Sequence, residues 1–293
     1  MERARGLRFV RDKRPWGVEV SMEIREPAVA GMFYPGSRAA LLASVDRYLA
    51  DARSPVLDDL DHVRAVISPH AGYIYSGPTA GFAFKALQHG LPAGKTTIYL
   101  LAPAHRVWFD GLSTGDFESF VTPLGTVPVD MDRVRALWAA RTVFQALPAA
   151  HQGEHSLEVQ IPFLQRSVDR FSLVPLLFGQ VDARAAGREL AVGLQDEPEA
   201  RLVVSSDLSH FERYETARQK DQSFLRDVLA GDSRAVEKNQ HGACGRGPIA
   251  ALIEIASQLG WTPHLIDYRN SGDTAGDKQR VVGYAAVAYT AGD

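Results

Sequence analysis

Two histidines follow strand-like segments of the sequence, each close behind a proline. The β-branched run at 63–67 precedes His70, and the apolar run at 98–102 precedes His105. Proline removes a backbone donor and restricts the residue before it, so both strands should end there. Open α/β sheets bind ligands at the carboxyl ends of their strands, where both histidines would then lie. Histidine is the commonest protein ligand for transition metals, and a hydrogen-bonded turn residue is the alternative.

A third histidine occupies the same kind of position. The apolar run at 202–204 leads into the sequence SSDLSH, which ends at His210. We therefore expect His210 on the same edge of the sheet, with Asp207 either orienting it or reaching the site. The alternative is a capped turn in which Ser206 or Asp207 satisfies free backbone amides. Three strand-end histidines together favour a functional site.

The only cysteine, Cys244, excludes an internal disulfide and requires its own explanation. It lies shortly before Pro248, which suits the first position of a helix, so the thiol should sit just ahead of a helix N-terminus. The helix dipole and Arg246 are expected to favour the thiolate, the form that binds metal or attacks a substrate. The alternative, a small buried apolar residue, fits poorly with the glycines and the arginine around it.

A zinc-peptidase pattern also occurs, because His151, Glu154 and His155 spell H-x-x-E-H. That mechanism needs both histidines on one face of a helix. Gly153 and the segment 148–150 indicate instead that the helix begins after His151. The sequence therefore disfavours the zinc-peptidase interpretation.

The order of the predicted elements indicates one α/β domain with a mostly parallel central sheet and helices on both faces. Residues 1–24 are predicted to form a loose N-terminal tail, with a short strand near 18–20, and residues 25–293 to form the domain. The predicted helices cover residues 38–52, 79–87, 131–140, 155–168, 182–195, 214–229 and 248–259. The predicted strands cover residues 63–67, 98–102, 111–118, 125–129, 171–178 and 202–205, a segment near 265, and 281–289.

The composition is ordinary for a water-soluble globular protein, with 45% hydrophobic and 23% charged residues over 293 positions. A formal charge of −3 gives no attraction to nucleic acid or to an anionic membrane. No apolar run approaches the roughly 18 residues of a membrane span. The N-terminus lacks the apolar core of a signal peptide, so we expect a cytoplasmic protein.

Nine sequence segments appear in an order that resembles a known family. They read REPAVAGMFYPG, PHAGYIYSG, PAHR, TPLG, EHSLEVQIPFL, SSDLSHF, CGRGPI, NSGD and VVGYAA. From about residue 25 to its end, the chain resembles the Memo family, whose prokaryotic members are called AmmeMemoRadiSam system protein B. The resemblance implies a fold like that of the class III extradiol dioxygenases, which hold Fe(II) with two histidines and a carboxylate.

The resemblance also implies roles for individual residues. The implied metal ligands are His70, His105 and Cys244, with the cysteine standing where the dioxygenases have a carboxylate. The implied catalytic residues are His210, Cys244 and Asp207, and the implied substrate-binding residues are His155, Tyr73 and Arg106. A thiolate ligand softens the site, so copper suits it as well as non-heme iron(II) and ring cleavage is placed in doubt.

Two classes of function follow from this resemblance. The first is a metal-dependent oxidoreductase, related to the dioxygenases, that acts on a small molecule while His210 moves a proton. The second is a non-catalytic protein that holds a peptide or protein ligand in the same cleft. Family association implies AMMECR1-type and radical-SAM proteins as partners. The sequence names no substrate.

Overall fold

The computed structural model describes residues 10–13, 19–22, 24–140 and 143–292. Its strands are β1 (Val10–Lys13), β2 (Glu19–Met22), β3 (Ile24–Arg25), β4 (Val63–Ser68), β5 (Thr96–Pro103), β6 (Leu112–Ser113), β7 (Ser119–Thr122), β8 (Gly125–Pro128), β9 (Phe144–Gln145), β10 (Phe171–Phe178), β11 (Arg201–Ser205), β12 (His210–Glu212), β13 (Trp261–Asn270) and β14 (Val281–Ala291). Its helices are α1 (Arg38–Asp51), α2 (Pro55–Asp58), α3 (Tyr73–Leu87), α4 (Met131–Ala139), α5 (Pro148–Gln152), α6 (Ile161–Ser167), α7 (Ala183–Gln195), α8 (Tyr214–Leu229), α9 (Ser233–Lys238), α10 (Arg246–Leu259) and α11 (Ser271–Thr274).

A nine-stranded sheet forms the centre of the described structure, in the order β12-β14-β4-β11-β5-β10-β6-β9, with β13 also paired to β14. The strands β4, β11, β5 and β10 are parallel neighbours. Antiparallel strands flank them, since β14 pairs with β4 and β6 pairs with β10. The parallel centre matches the prediction, and the flanking strands make the whole sheet mixed.

Helices cover the sheet, as predicted for an α/β fold. Every residue of β5 is buried, and successive strand residues point to opposite faces, so both faces must be covered. Among the helices that cover the sheet, α3 packs against α1 and α6, and α10 packs against α7 and α9. At Gly81, a Cβ would overlap the backbone carbonyl of Tyr48, so this glycine allows α3 to approach α1 closely. The buried apolar residues form one continuous core, which confirms the single α/β domain.

The helix that follows His70 begins earlier than the sequence indicated. The sequence predicted a helix over residues 79–87, whereas α3 begins at Tyr73 and contains Pro78 in its interior. Pro78 removes one intrahelical hydrogen bond. Burial of eleven of the fifteen helix residues offsets that loss. The earlier start changes which tyrosine faces the site, as described below.

At the N-terminus, β1 and β2 pair in an antiparallel arrangement. The range of β2 overlaps the short strand predicted near 18–20. Residues 1–9, 14–18 and 23 lie outside the described residues, so the predicted loose tail stays a prediction. The short strand β3 pairs with β7 in a separate three-stranded sheet. No described helix combines the length and the apolar character that a bilayer span requires.

Candidate metal centre

His70 lies in the turn between β4 and α3, and a carboxylate from the neighbouring strand end holds this turn. Oδ1 of Asp207 accepts the backbone N–H of His70 at 2.7 Å and that of Ala71 at 3.2 Å. Pro69 ends β4 as predicted, which leaves the two amides after it free to find this acceptor. The histidine is 2% exposed, so its ring has a defined place at the carboxyl edge of the sheet.

The hydrogen bonds of Ser205 determine which nitrogen of His70 is free. The Ser205 hydroxyl donates its one proton to the carbonyl of Ser156 at 2.7 Å. It must therefore accept from Nδ1 of His70, which lies 2.8 Å away, and it also accepts from Gln160 at 2.8 Å. The lone pair of His70 then resides on Nε2, which faces Sγ of Cys244 at 3.2 Å. Burial, assisted by His105 and His155, lowers the pKa of His70 well below its usual value and keeps the ring neutral.

A buried carboxylate fixes His105 in the same way. Oε2 of Glu154 accepts the backbone N–H of His105 at 2.6 Å, and Oε1 lies 3.1 Å from its Nδ1. Nδ1 therefore donates to the carboxylate, which leaves Nε2 of His105 with a free lone pair. Burial opposes ionisation of Glu154, but hydrogen bonds from His105 and His155 hold the pKa of this carboxyl far below its usual range.

Cys244 lies in the turn before α10, ahead of the helix N-terminus as predicted. Its Sγ accepts the backbone N–H of Asp207 at 3.3 Å. Burial, and then the charge of Asp207, raise the pKa of the thiol above its ordinary value. The expectation that the helix and Arg246 make this group a thiolate is therefore wrong for the metal-free protein. A bound metal ion would favour the thiolate of Cys244, because coordination to a metal deprotonates a thiol.

The ligand atoms of His70, His105 and Cys244 all lie within 4.8 Å of one another. Metal–nitrogen and metal–sulfur bonds are about 2.0–2.3 Å long, so one ion fits among the three with small adjustments. A second group with the same spacing consists of His105, Glu154 and His155. Glu154 should be a weaker metal ligand than Cys244, because its oxygens already accept the backbone N–H groups of residues 105, 155 and 156.

His155 stacks on His105, with ring centroids 4.9 Å apart and an angle of 28° between the planes. Its Nδ1 lies 3.1 Å from Oε1 of Glu154. Glu154 therefore orients His105 and contacts His155, a role that the sequence did not reveal. The zinc-peptidase motif was the only signal at Glu154, and the structure separates that motif.

His151, the first histidine of that motif, lies on α5 and belongs to neither group of candidate ligands. Its Nε2 lies 3.1 Å from the hydroxyl of Ser113. Burial, and then the charge of Arg25, lower the pKa of His151 to about 3. The ring is a neutral part of the core. The prediction that the helix begins after His151 is wrong, because this residue lies within α5, but α5 ends before Gly153, so the three residues of the motif do not share one helix.

A cavity of about 750 Å³ opens beside two of the candidate ligands, His70 and His105. The residues from the sequence-predicted set that line it are His70, His105, His155, His210, Asp207 and Arg106. Cys244 does not line it and lines instead a separate cavity of about 290 Å³, together with Arg246.

Tyr73, predicted to bind substrate, does not line the larger cavity. It is 2% exposed, and its hydroxyl donates to the carbonyl of Val159 at 2.7 Å in the core. Because α3 begins at this residue, Tyr73 faces inward. Tyr75, two residues further along, lines the cavity instead.

His210 begins β12 on the wall of the cavity, and a buried carboxylate positions the loop before it. Oδ1 of Asp221 accepts the backbone N–H of Ser209 at 2.9 Å, and Oδ2 accepts the hydroxyl of Tyr268 at 2.8 Å. A Cβ at Gly283 would overlap the Asp221 carboxylate, so only glycine allows this approach. The backbone N–H of Gly283 also donates to the carbonyl of Ser209 at 2.9 Å, which ties the His210 loop to β14.

Comparison with known proteins assigns the family. A family model described as Memo-like protein matches residues 25–288. MEMO1 family protein MTH_45 of Methanothermobacter thermautotrophicus is 33% identical over 279 residues, covering 90% of this chain and 100% of the relative. MEMO1 family proteins of Aeropyrum pernix and Archaeoglobus fulgidus are 36% and 35% identical, each covering 91% of this chain and 99% of the relative. The chain therefore belongs to the Memo family.

Proposed function

We propose that this protein binds iron or copper through His70, His105 and Cys244 and uses it in redox chemistry on a small substrate. One observation supports this most directly. Both histidines commit Nδ1 to a fixed hydrogen-bond acceptor and keep a lone pair on Nε2, and a ligand atom of each lies within 4.8 Å of Sγ of Cys244. Metal-binding histidines are commonly oriented by such a hydrogen bond at the other ring nitrogen.

The ligand set bears on the metal and on the reaction. Two imidazoles and one thiolate form a softer set than two histidines and a carboxylate, so copper suits this site as well as iron(II). Either metal, when bound, would supply one-electron redox chemistry and open positions for substrate. We propose that ring cleavage of the dioxygenase type is not the reaction, because Cys244 stands where those enzymes have a carboxylate.

The chain's own residues would have distinct tasks around the metal. His210 lies on the cavity wall, where it would accept or donate a proton to bound substrate. Asp207 would position two of the metal ligands. Its carboxylate accepts the backbone N–H of His70, and its own backbone N–H donates to Sγ of Cys244. His155 would contact substrate from its place above Glu154.

Metal analysis of protein purified without oxygen tests the proposal. We expect about one equivalent of iron or copper in the unmodified protein and a loss of most of it in each of His70→Ala, His105→Ala and Cys244→Ser. Three protein ligands leave no redundancy. His241→Ala is the matched control, because His241 is an exposed histidine only three positions before Cys244.

Three results would contradict the proposal in different ways. Retention of metal by all three ligand variants would place the metal elsewhere. Zinc as the only bound ion would keep the site and remove the redox chemistry. Absence of any bound metal would favour the alternative, in which the cleft holds a peptide or protein ligand.

A further inference from the structure

Aromatic side chains form part of the wall of the large cavity, above the candidate metal ligands. Phe33, Tyr75 and Phe211 line it, and Phe211 is 63% exposed. Phe211 has a φ of +60°, in the left-handed region that bulky residues rarely adopt. Such strain is typically retained at functional sites. The protein therefore holds a large apolar ring toward the cavity in a costly conformation.

The same cavity contains two arginines, Arg106 and Arg280. Arg280 lies over the ring of Phe211, with its guanidinium carbon 5.0 Å from the ring centroid. Neither guanidinium has an ion-pair partner within the part of the chain that the structure describes. Other arginines of this protein do pair, as Arg133 does with Glu197 at 2.8 Å.

Among the described residues, the two acids on the cavity wall, Asp207 and Asp277, accept backbone N–H groups and form no ion pair with either arginine. Oδ1 of Asp207 is used by backbone amides in the turn of His70. Oδ1 of Asp277 accepts the backbone N–H of Gln279 at 2.9 Å. The remaining titratable groups of the cavity are its four histidines and the tyrosines Tyr75 and Tyr284. Two fixed positive charges therefore face a space large enough for a small molecule.

We propose that the substrate is a small anionic molecule whose carboxylate or phosphate group is bound by Arg106 and Arg280. This inference rests on the proposed function, because it concerns the same cavity. An arginine without an ion-pair partner offers the paired N–H groups that match a carboxylate or phosphate. The unsaturated part of the molecule lies against the rings of Tyr75 and Phe211. Arg106 directly follows His105, so the anionic group is recognised close to the metal.

Binding of small probes to the full-length protein tests this inference. The probes are benzoate, phenyl phosphate and the neutral benzamide, measured by calorimetry with the protein as purified. We expect one of the two anions to bind at least about tenfold more tightly than benzamide, the gain expected from one charge-assisted pair. Preference for benzoate indicates a carboxylate substrate, and preference for phenyl phosphate indicates a phosphate ester.

Arginine variants attribute the binding to the two side chains. Arg106→Gln and Arg280→Gln should each weaken binding of the preferred anion by about tenfold and leave the metal content unchanged. Arg234→Gln is the matched control, because Arg234 is exposed on α9, away from the cavity, and should change nothing. The His70→Ala variant, which should lose the metal, should keep the preference for the anion.

Several results would overturn the inference without affecting the metal proposal. Equal binding of benzamide and the anions would remove the role of charge. Full binding in both arginine variants would place the anion elsewhere. Loss of the anion preference in His70→Ala would show that the probe binds to the metal rather than to the arginines. Absence of metal from the unmodified protein, with the anion preference intact, would contradict only the metal proposal.

Discussion

Glu154 and Glu158 are buried carboxylates only four residues apart, yet they have different kinds of partner. Glu154 contacts the imidazoles of His105 and His155 and several backbone amides. Glu158 forms an ion pair with Arg25 and accepts the hydroxyl of Tyr34 at 2.5 Å. It also accepts the backbone N–H groups of residues 28 and 29, which fastens the segment after β3 to the core.

The difference lies in whether the partner can give up its charge. A guanidinium is a permanent cation, so Glu158 and Arg25 form a fixed pair whose task is structural. An imidazole can be neutral, and each one near Glu154 has a second nitrogen available for a ligand. Two equally buried acids thus serve stability in one case and the candidate metal centre in the other.

Glu158→Gln should give the largest change in stability. Glutamine keeps the size of the side chain but leaves Arg25 as a buried charge without a counter-charge. We expect the free energy of unfolding in urea to fall by about 3–5 kcal/mol. Glu254→Gln, which disrupts the partly exposed pair with Arg184, is the control and should cost about 1 kcal/mol or less. Similar losses in both variants would contradict the structural role of Glu158.

Acidification should weaken the same region through His151, whose backbone carbonyl accepts Nε of Arg25 at 3.1 Å. Its pKa is about 3 in the folded protein, because burial and then Arg25 disfavour the charged ring, and about 6.5 when unfolded. Between these values only the unfolded chain binds the proton, so stability is lost as the pH falls below about 6.5. Each such histidine contributes a slope of about 1.4 kcal/mol per pH unit.

Urea unfolding between pH 7.5 and 5 measures this slope. His70 also has a lowered pKa and adds to the total, so His151→Gln isolates the part due to His151. The variant should reduce the pH dependence by the equivalent of one proton. An unchanged slope would mean that His151 titrates normally in the folded protein.

Glu154→Gln should act mainly on the metal. The amide cannot accept at both positions as the carboxylate does, so the imidazole of His105 loses its orientation. Metal affinity should fall by about 10–100-fold, measured by competition with a chelator. The loss in stability should be smaller than for Glu158→Gln, since the imidazoles can remain neutral. Glu237→Gln, which alters an acceptor for the backbone of Ala183, is the control. Unchanged metal affinity in Glu154→Gln would remove its orienting role.

Ser205→Ala should have the smallest effect. The variant removes the acceptor for Nδ1 of His70 and so weakens the preference for the tautomer with Nε2 free. Metal affinity should fall by about fivefold, corresponding to one neutral hydrogen bond of about 1 kcal/mol. Ser167→Ala is the control, because Ser167 is a buried serine whose hydroxyl has no described partner. A loss as large as that of Glu154→Gln would mean that Ser205 does more than fix the tautomer.

The sequence was sufficient to find the candidate ligands, because prolines end β4 and β5 and thereby place His70 and His105. It could not identify the residues that orient those ligands. Ser205 and Glu154 act through contacts between strand ends and a loop, and these contacts depend on tertiary packing. Glu154 was also obscured by a motif whose other histidine, His151, proves to be a core residue.

The error at Tyr73 has a local cause. The predicted helix began only at residue 79, so the sequence did not indicate which of Tyr73 and Tyr75 faces the core. The antiparallel pairing of β13 with β14 was missed because the pattern of strands alone does not specify direction. Where propensity and tertiary packing agree, as in α8 and β10, the predicted bounds were confirmed.

The contact between Gly283 and Asp221 has a consequence for how variation in this protein should be interpreted. No side chain fits at Gly283, although this position lies on a strand and touches neither the candidate ligands nor the cavity. In a mutational scan it should be among the least tolerant positions of the chain. Substitution there would displace the Asp221 carboxylate and with it the loop that carries His210. A variant that resembles ordinary sheet damage would thus also displace His210, the residue proposed to transfer a proton.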